Sequence, residues 1–306
     1  MQSARAGDAG FVWSVTIPAF NAERYLGQTL QSVLEQADDR VQIVVLDDHC
    51  SDRTIEIAKQ IGGDRVEVRA NAENLGAIAT FNACINAASG RLVHILHADD
   101  RVRPGFYAVM ERAMADNSKP SMASCRTQLI DEHSRAGVTT RSERDGSGVW
   151  LEALTTLGVS NCVRPPGVVV PRDVYDTVGS FRPDLPHAAD WEMWARLAAA
   201  GPVWFEDQVL AEYRQHGAQD TAARVRTGDN IRERVDCVAA IGAHLPQERR
   251  RSIAARALAY SGVFAARSGA NLIKRHEWRS GLRQFQLAAV CMWRAARTLN
   301  SKPERA

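Results

Sequence analysis

No stretch of this 306-residue sequence approaches the ~20 consecutive apolar residues that a membrane span needs. Its N-terminus has neither the basic start nor the apolar run of a signal peptide, so the body of the protein is expected to be cytoplasmic. The six cysteines (Cys50, Cys84, Cys125, Cys162, Cys237 and Cys291) form no Cys-x-x-Cys pair and no zinc spacing, which predicts reduced, mostly buried thiols. Two glycine signatures are also missing. The first apolar run is followed by Pro18-Ala19-Phe20-Asn21 rather than G-x-G-x-x-G, and no G-x-x-x-x-G-K-S/T occurs. A phosphate-bearing ligand must therefore be held without a glycine cradle. Internal repeats, low-complexity segments and nucleic-acid-binding motifs are absent.

What is present is an ordinary globular composition, 45% hydrophobic and 24% charged. The net charge of +2 hides an asymmetry. Residues 245–306 carry 13 Lys/Arg against 3 Asp/Glu, a net of +10, and residues 1–244 carry a net of −8. Apolar runs at Phe11–Ile17 (stopped by Pro18), Val41–Leu46, Arg65–Arg69 and Arg91–Leu96 alternate with helical spacings. These predict a β-α-β-α-β-α-β-α rhythm, a mostly parallel sheet with helices on both faces. Asn21 is a candidate N-cap for the first helix, and Ser51 or Asp52 for the second. The pattern then loosens: Ser121–Ile130 reads as a strand, Asp131–Gly148 as a mobile surface loop, and the chain from about Thr221 as helices to the end.

Two of the strands finish in paired carboxylates, Asp47-Asp48 and Asp99-Asp100. In open α/β sheets ligands bind at the carboxyl ends of strands. Carboxylates there suit either acid/base chemistry or a divalent cation that shares a phosphate ligand, and the missing glycine cradle favours the cation.

The order of motifs resembles family 2 glycosyltransferases, which have the GT-A fold. The opening Ser14-Val15-Thr16-Ile17-Pro18-Ala19-Phe20-Asn21, then Asp47-Asp48-His49-Cys50-Ser51-Asp52-Arg53-Thr54, is similar to that family's first two strand ends. Asn74-Leu75-Gly76, Asn82 and Ala88-Ser89-Gly90 match its N-x-G…N…A-x-G spacing, and Leu96-His97-Ala98-Asp99-Asp100 its metal motif. Pro166-Gly167, Val178-Gly179-Ser180-Phe181, Ala189-Asp190-Trp191 with Trp194-Ala195-Arg196-Leu197, and Tyr213-Arg214-Gln215-His216 complete a resemblance over about residues 12–217. His97, Ala189 and His49-Cys50 depart from the family pattern, and a β-carbon at His49, where glycine is common, is expected to reshape its turn.

The resemblance implies a Rossmann-like GT-A domain over 1–219 and a basic helical C-terminal extension over 220–306. It implies a metal-dependent inverting glycosyl transfer from a nucleotide-diphosphate sugar, UDP-linked, to a hydroxyl of a glycan or lipid-linked acceptor in cell-envelope polysaccharide synthesis. The donor site would comprise Pro18, Phe20 against the base, Asp48 on the base edge, Asn74, and Asp99 for ribose and metal. Asp99, Asp100 and His216 would hold Mg²⁺ or Mn²⁺, and Asp190 would be the general base. Trp191 and Trp194 read as helix packing. A non-catalytic nucleotide-sugar-binding protein and a sugar nucleotidyltransferase are the rival readings. The arginine- and aromatic-rich helices of 245–306 suit either peripheral contact with an anionic membrane at its inner face or packing within the protein or a homo-oligomer.

Overall fold

The computed structural model describes residues 10–217 and 220–300. Its elements in chain order are β1 (Trp13–Ala19), α1 (Leu26–Leu34), β2 (Val41–Asp47), α2 (Thr54–Gly62), β3 (Glu67–Ala70), α3 (Ala77–Ala87) and β4 (Leu92–Ile95). Then follow β5 (Arg101–Val102), α4 (Phe106–Met114), β6 (Met122–Asp131), β7 (Ala136–Thr139), β8 (Gly148–Val149), α5 (Ala153–Val159), β9 (Val168–Pro171), α6 (Arg172–Val178) and α7 (Ala189–Ala200). The last are β10 (Val203–Gln215), α8 (Asp220–Thr227), α9 (Asp229–Gly242), α10 (Gln247–Lys274) and α11 (Trp278–Asn300). The chain forms two compact units interleaved in sequence. One comprises 1–150, 163–181 and 200–214; the other comprises 151–162, 182–199 and 215–306.

The first unit is built on a sheet of order β3-β2-β1-β4-β9-β6-β10-β5. The pairs β3–β2, β2–β1 and β1–β4 are parallel, as the alternation of strands and helices predicts. The remaining half turns antiparallel at β9, which pairs with both β4 and β6. Odd residues of β1 and β2 (Val15, Ile17, Ile43, Val45) pack with Leu26, Leu30 and Val33 of α1 and Phe106 and Met110 of α4. The even residues Ser14 and Thr16 are just as buried, and Cys84 of α3 reaches Thr16 on that opposite face. Helices therefore cover both faces.

Ser14 shows how a buried hydroxyl is satisfied. Its Oγ accepts from the amides of Ser89 (3.0 Å) and Gly90 (2.7 Å) at the entry to β4. That contact brings Gly90 against the β1 backbone: an added Cβ would sit 2.4 Å from the Trp13 carbonyl carbon. Gly90→Ala is expected to destabilise the protein by about 1–3 kcal/mol or more, as overpacking does, and a lowered denaturant midpoint would register it.

Several sequence expectations need correction. Pro18 does not stop β1, which runs on to Ala19. Even residues of β1 face β4, and β4 ends opposite Thr16, so Pro18 has no ladder partner on the side of its missing N–H. Asn21 does not cap α1, which begins at Leu26; it adopts φ +48° and its Oδ1 accepts from the Ser51 amide at 2.9 Å. Asp131–Gly148 is not simply a loop: Gln128↔Thr139 and Ile130↔Ala136 pair β6 with β7 in a hairpin. The 13-residue β10 and the two-residue β5 were not legible as strands at all.

The second unit is helical. The helices expected from about Thr221 onward are α8–α11, and they share the unit with α5 and most of α7. Trp191 and Trp194 are buried in it, Trp191 donating its indole N–H to the Leu157 carbonyl and stacking under Arg234 (4.7 Å to the ring centre). They pack helices, as the spacing predicts. The six cysteines are free thiols, four of them buried.

Candidate active site

In the parallel half of the sheet the strand order reverses between β1 and β4, and that switch point is where open α/β sheets bind ligands. Apart from Pro18, which lies within β1, the candidate donor residues follow strand ends: Phe20 after β1, Asp48 after β2, Asn74 after β3, and Asp99-Asp100 after β4.

The register explains the geometry. Ala19 and Asp47 finish level, and the Asp48 amide donates to the Ala19 carbonyl (2.9 Å). Strand β4 stops short at Ile95, so residues 97–100 form a tight turn closed by the Asp100 amide on the His97 carbonyl (3.1 Å). Thr29 of α1 lies 2.8 Å from the carbonyls of both Ala98 and Asp100 and holds this turn from below.

Phe20 is 55% exposed at the mouth of the sheet, which excludes the ordinary core role an aromatic usually takes. Pro18 is half-buried within β1. Asp48 is buried, and its carboxylate organises the next loop: Oδ1 accepts from the Asn71 side chain (2.9 Å) and the Leu75 amide (2.8 Å), Oδ2 from the Gly76 amide (3.0 Å). Two of these three bonds saturate Oδ1, leaving Oδ2 one lone pair for a ligand. Asn74 is exposed and its Oδ1 also accepts from the Gly76 amide, so Gly76, at φ +81°, is the hinge of the loop.

In the turn after β2 His49 adopts φ +65°, the left-handed conformation in which a β-carbon costs roughly 1–2 kcal/mol. Cys50 ties the first two strand ends together, its Sγ lying 3.3 Å from the Asn21 amide and 3.4 Å from the Ala19 carbonyl. Burial first, and then its bond to Asp47, push the thiol up to about 11. It therefore stays protonated and acts as a tie, not a nucleophile.

His97, Asp99 and Asp100 each offer a ligand atom within 4.8 Å of the others. Asp100 is completely buried. Its Oδ1 accepts from the Arg214 amide at 2.8 Å, while its buried Oδ2 has no hydrogen-bond partner. Burial, reinforced by the neighbouring Asp99 charge, holds the Asp100 carboxyl well above the usual carboxylate range. This buried oxygen lies 3.9 Å from His97 Nδ1 and beside a second carboxylate, a set of oxygen and nitrogen donors. The residues present therefore fit a divalent cation. His97, stacked on Phe81 at 5.0 Å, is the imidazole of this cluster, although in the sequence it stands only as a departure at the first aspartate of the metal motif.

Arg214 is the residue whose weight the sequence did not reveal. It is buried, and its guanidinium donates to the Asp99 carbonyl (2.8 Å), the Asp131 carbonyl (3.1 Å), Ser134 Oγ (2.9 Å) and Gln28 Oε1 (2.9 Å) while lying over the Tyr25 ring. One side chain thus fixes the carboxylate turn, the β6–β7 hairpin and α1. The Tyr213-Arg214-Gln215-His216 motif was the available signal, and the hub is its arginine. Ahead of it, Glu212 pairs with both Arg101 (2.8 Å) and Arg103 (3.1 Å), pinning the chain that leaves Asp100.

Asp190 and His216 belong to the second unit. Asp190 lies in the first turn of α7. Its Oδ2 accepts from Asn161 Nδ2 at 2.9 Å and its Oδ1 lies 2.7 Å from the Trp191 amide, so the carboxylate is held in one orientation. His216 is half-buried just beyond β10.

Fold and cluster together define an α/β protein whose switch point carries side chains that could hold a divalent cation. Residues 14–147 match the model of Glycosyl transferase family 2. An uncharacterized glycosyltransferase of Haemophilus influenzae is 23% identical over 218 residues, 68% of this chain and 67% of its own length. Staphylococcus aureus TarS residues 1–349, solved with UDP-GlcNAc, is similar in fold at a TM-score of 0.68, with 18% identity over 90% of this chain and 81% of TarS. The mannosyltransferase PcManGT of Pyrobaculum calidifontis, solved with GDP-Man and Mn²⁺, is similar at 0.58, with 17% identity over 92% and 87% of the two chains. Residues 14–147 are thus similar to glycosyltransferase family 2, and the fold is GT-A.

Proposed function

We propose that this enzyme is a metal-dependent inverting glycosyltransferase. It moves a sugar from a nucleotide-diphosphate sugar, UDP-linked, to a hydroxyl of a glycan or lipid-linked acceptor in cell-envelope polysaccharide synthesis. The observation that carries the reading is the buried Asp100 Oδ2, without a hydrogen-bond partner and 3.9 Å from His97 Nδ1, beside Asp99 at the end of β4. The TarS neighbour solved with UDP-GlcNAc supports the UDP part, and PcManGT solved with Mn²⁺ supports the cation.

In this reading Asp99, Asp100 and His97 hold Mg²⁺ or Mn²⁺, with His216 as a further proposed ligand. When bound, the ion supplies Lewis-acid stabilisation of the charge that grows on the departing diphosphate. Phe20 and Pro18 receive the base, the Asp48 lone pair left on Oδ2 accepts from the base edge, and Asn74 shapes the loop beside it. Asp190 takes the proton from the acceptor hydroxyl. The acceptor oxygen then bonds to the anomeric carbon as the bond from that carbon to the diphosphate oxygen breaks, and the nucleoside diphosphate leaves. One displacement inverts the anomeric centre.

Base stacking on an aromatic ring is worth about 1–3 kcal/mol per base. Because Phe20 is exposed, Phe20→Ala is expected to spare the fold and weaken UDP binding by roughly 10-fold or more, read by calorimetry with Mn²⁺ present. Unchanged affinity would remove Phe20 from the donor site.

A further inference from the structure

The α10–α11 hairpin packs through small residues, and α11 exposes most of its large ones. Gly262, Ala265 and Gly269 of α10 are buried, as are Gly281, Ala288 and Cys291 of α11. The two backbones touch along this seam: a Cβ on Gly269 would lie 2.9 Å from the Gly281 carbonyl oxygen. On α11 the large apolar side chains other than the half-buried Leu287 stay outside. Trp278 (57% exposed), Leu282 (58%), Phe285 (39%) and Trp293 (58%) recur at helical spacing on one face, with the exposed Ala289, Met292 and Ala296 between them. A contiguous apolar face of this kind marks a surface that something else covers.

The charge beside that face says what covers it. Helix α11 contains Arg279, Arg283, Arg294 and Arg297 and no acidic residue. At 100° per residue these four form a stripe along one edge of the apolar face. Within the second unit Trp293, Arg294 and Arg297 also line a cavity of about 940 Å³ with Arg250 and Arg251 of α10, and no acidic side chain contributes to its wall. A second copy of the same face would set arginine against arginine. An anionic bilayer offers both an apolar boundary for the rings and phosphates for the guanidinium groups. No helix among the described residues is long and apolar enough to cross a membrane, so the contact would be peripheral.

We propose that the second unit docks on an anionic lipid bilayer through α11. Trp278, Leu282, Phe285 and Trp293 enter the headgroup–acyl boundary, and the arginines engage lipid phosphates, those of the cavity included. This goes beyond the transfer reaction and does not depend on it.

The test is flotation of the full chain with phosphatidylcholine vesicles, with and without phosphatidylglycerol. The expected result is binding to the anionic vesicles only, weakened by added salt. Each basic side chain near an anionic leaflet is worth about fivefold in affinity, so Arg294→Gln with Arg297→Gln should weaken binding roughly 25-fold. Trp278→Ser with Leu282→Ser should weaken it at every salt concentration. Both pairs are exposed, so unchanged circular dichroism is expected, and the exposed Arg112→Gln on α4 should leave binding as it was. Equal binding to both vesicle types, no binding to either, or insensitivity to both pairs of substitutions would overturn the proposal. So would a dimer in sedimentation velocity that Trp278→Ser with Leu282→Ser dissolves, accompanied by no vesicle binding.

Discussion

Asp100→Asn is expected to lower metal-dependent donor turnover by roughly three orders of magnitude, because Lewis-acid assistance supplies several kcal/mol and this carboxylate is the most enclosed of the three candidate ligands. The same substitution should leave the metal-free protein as stable as the wild type or more so. Asp100 is buried, its Oδ2 lacks a partner, and burial together with the Asp99 charge raises its pKa. The sign follows from linkage. A carboxyl whose folded pKa lies above its unfolded value contributes stability that is fully present below the unfolded pKa and is lost as pH rises through the folded one. Between the unfolded and the folded pKa the metal-free protein takes up a proton at Asp100 on folding, which costs stability as pH rises, and a divalent cation offsets that cost by favouring the ionised carboxylate. Melting curves with and without Mn²⁺ across the acid-to-neutral range check this. The wild type should gain stability from Mn²⁺ at neutral pH and lose that gain on acidification, and the variant should show little of either. An Mn²⁺ shift in Asp100→Asn equal to that of the wild type would take Asp100 out of the metal site.

Asp190→Asn is expected to reduce transfer to the acceptor by about 10²–10⁴-fold while leaving donor affinity within a few-fold of the wild type. Asparagine keeps an acceptor oxygen for the Asn161 side chain, so the start of α7 should hold its shape. The competing role is structural. A carboxylate in the first turn of a helix stabilises it by about 0.3–1 kcal/mol through the dipole. If that were all Asp190 did, the substitution would lower the melting temperature slightly and spare kcat. Single-turnover transfer alongside donor-binding calorimetry separates the two. Lost transfer with intact binding supports the base, and intact transfer with a small stability loss supports the helix terminus.

The parallel half of the sheet was legible because β1, β2 and β4, buried on both faces, read as apolar runs, and two of its strands are followed by paired carboxylates. Asp48 and Asp99-Asp100 could be picked out on that ground. Other features depend on partners far apart in sequence. Pro18 is tolerated inside β1 only because β4 ends early. Strand β7 has only four residues, Ala-Gly-Val-Thr, and is almost wholly exposed, so no hydrophobic period betrays it. Strand β10 carries Glu206, Asp207, Glu212 and Arg214 among its apolar residues, and its identity as a strand comes from β5 and β8, which pair with it. The importance of Arg214 was hidden for the same reason. It bonds to residues 28, 99, 131 and 134, and no local pattern reports four such contacts at once. Asp48 was found, but its hold on the Asn71–Gly76 loop was not, since that requires knowing that the loop folds back over the end of β2.

The most direct measurement is release of nucleoside diphosphate from a panel of UDP- and GDP-sugars, with Mn²⁺ and with a chelator, for the wild type and Asp100→Asn. The expected result is release from a UDP-sugar that the chelator abolishes and that Asp100→Asn largely lacks. Release that survives the chelator, or that Asp100→Asn sustains at the wild-type rate, would contradict a metal-dependent site at the end of β4.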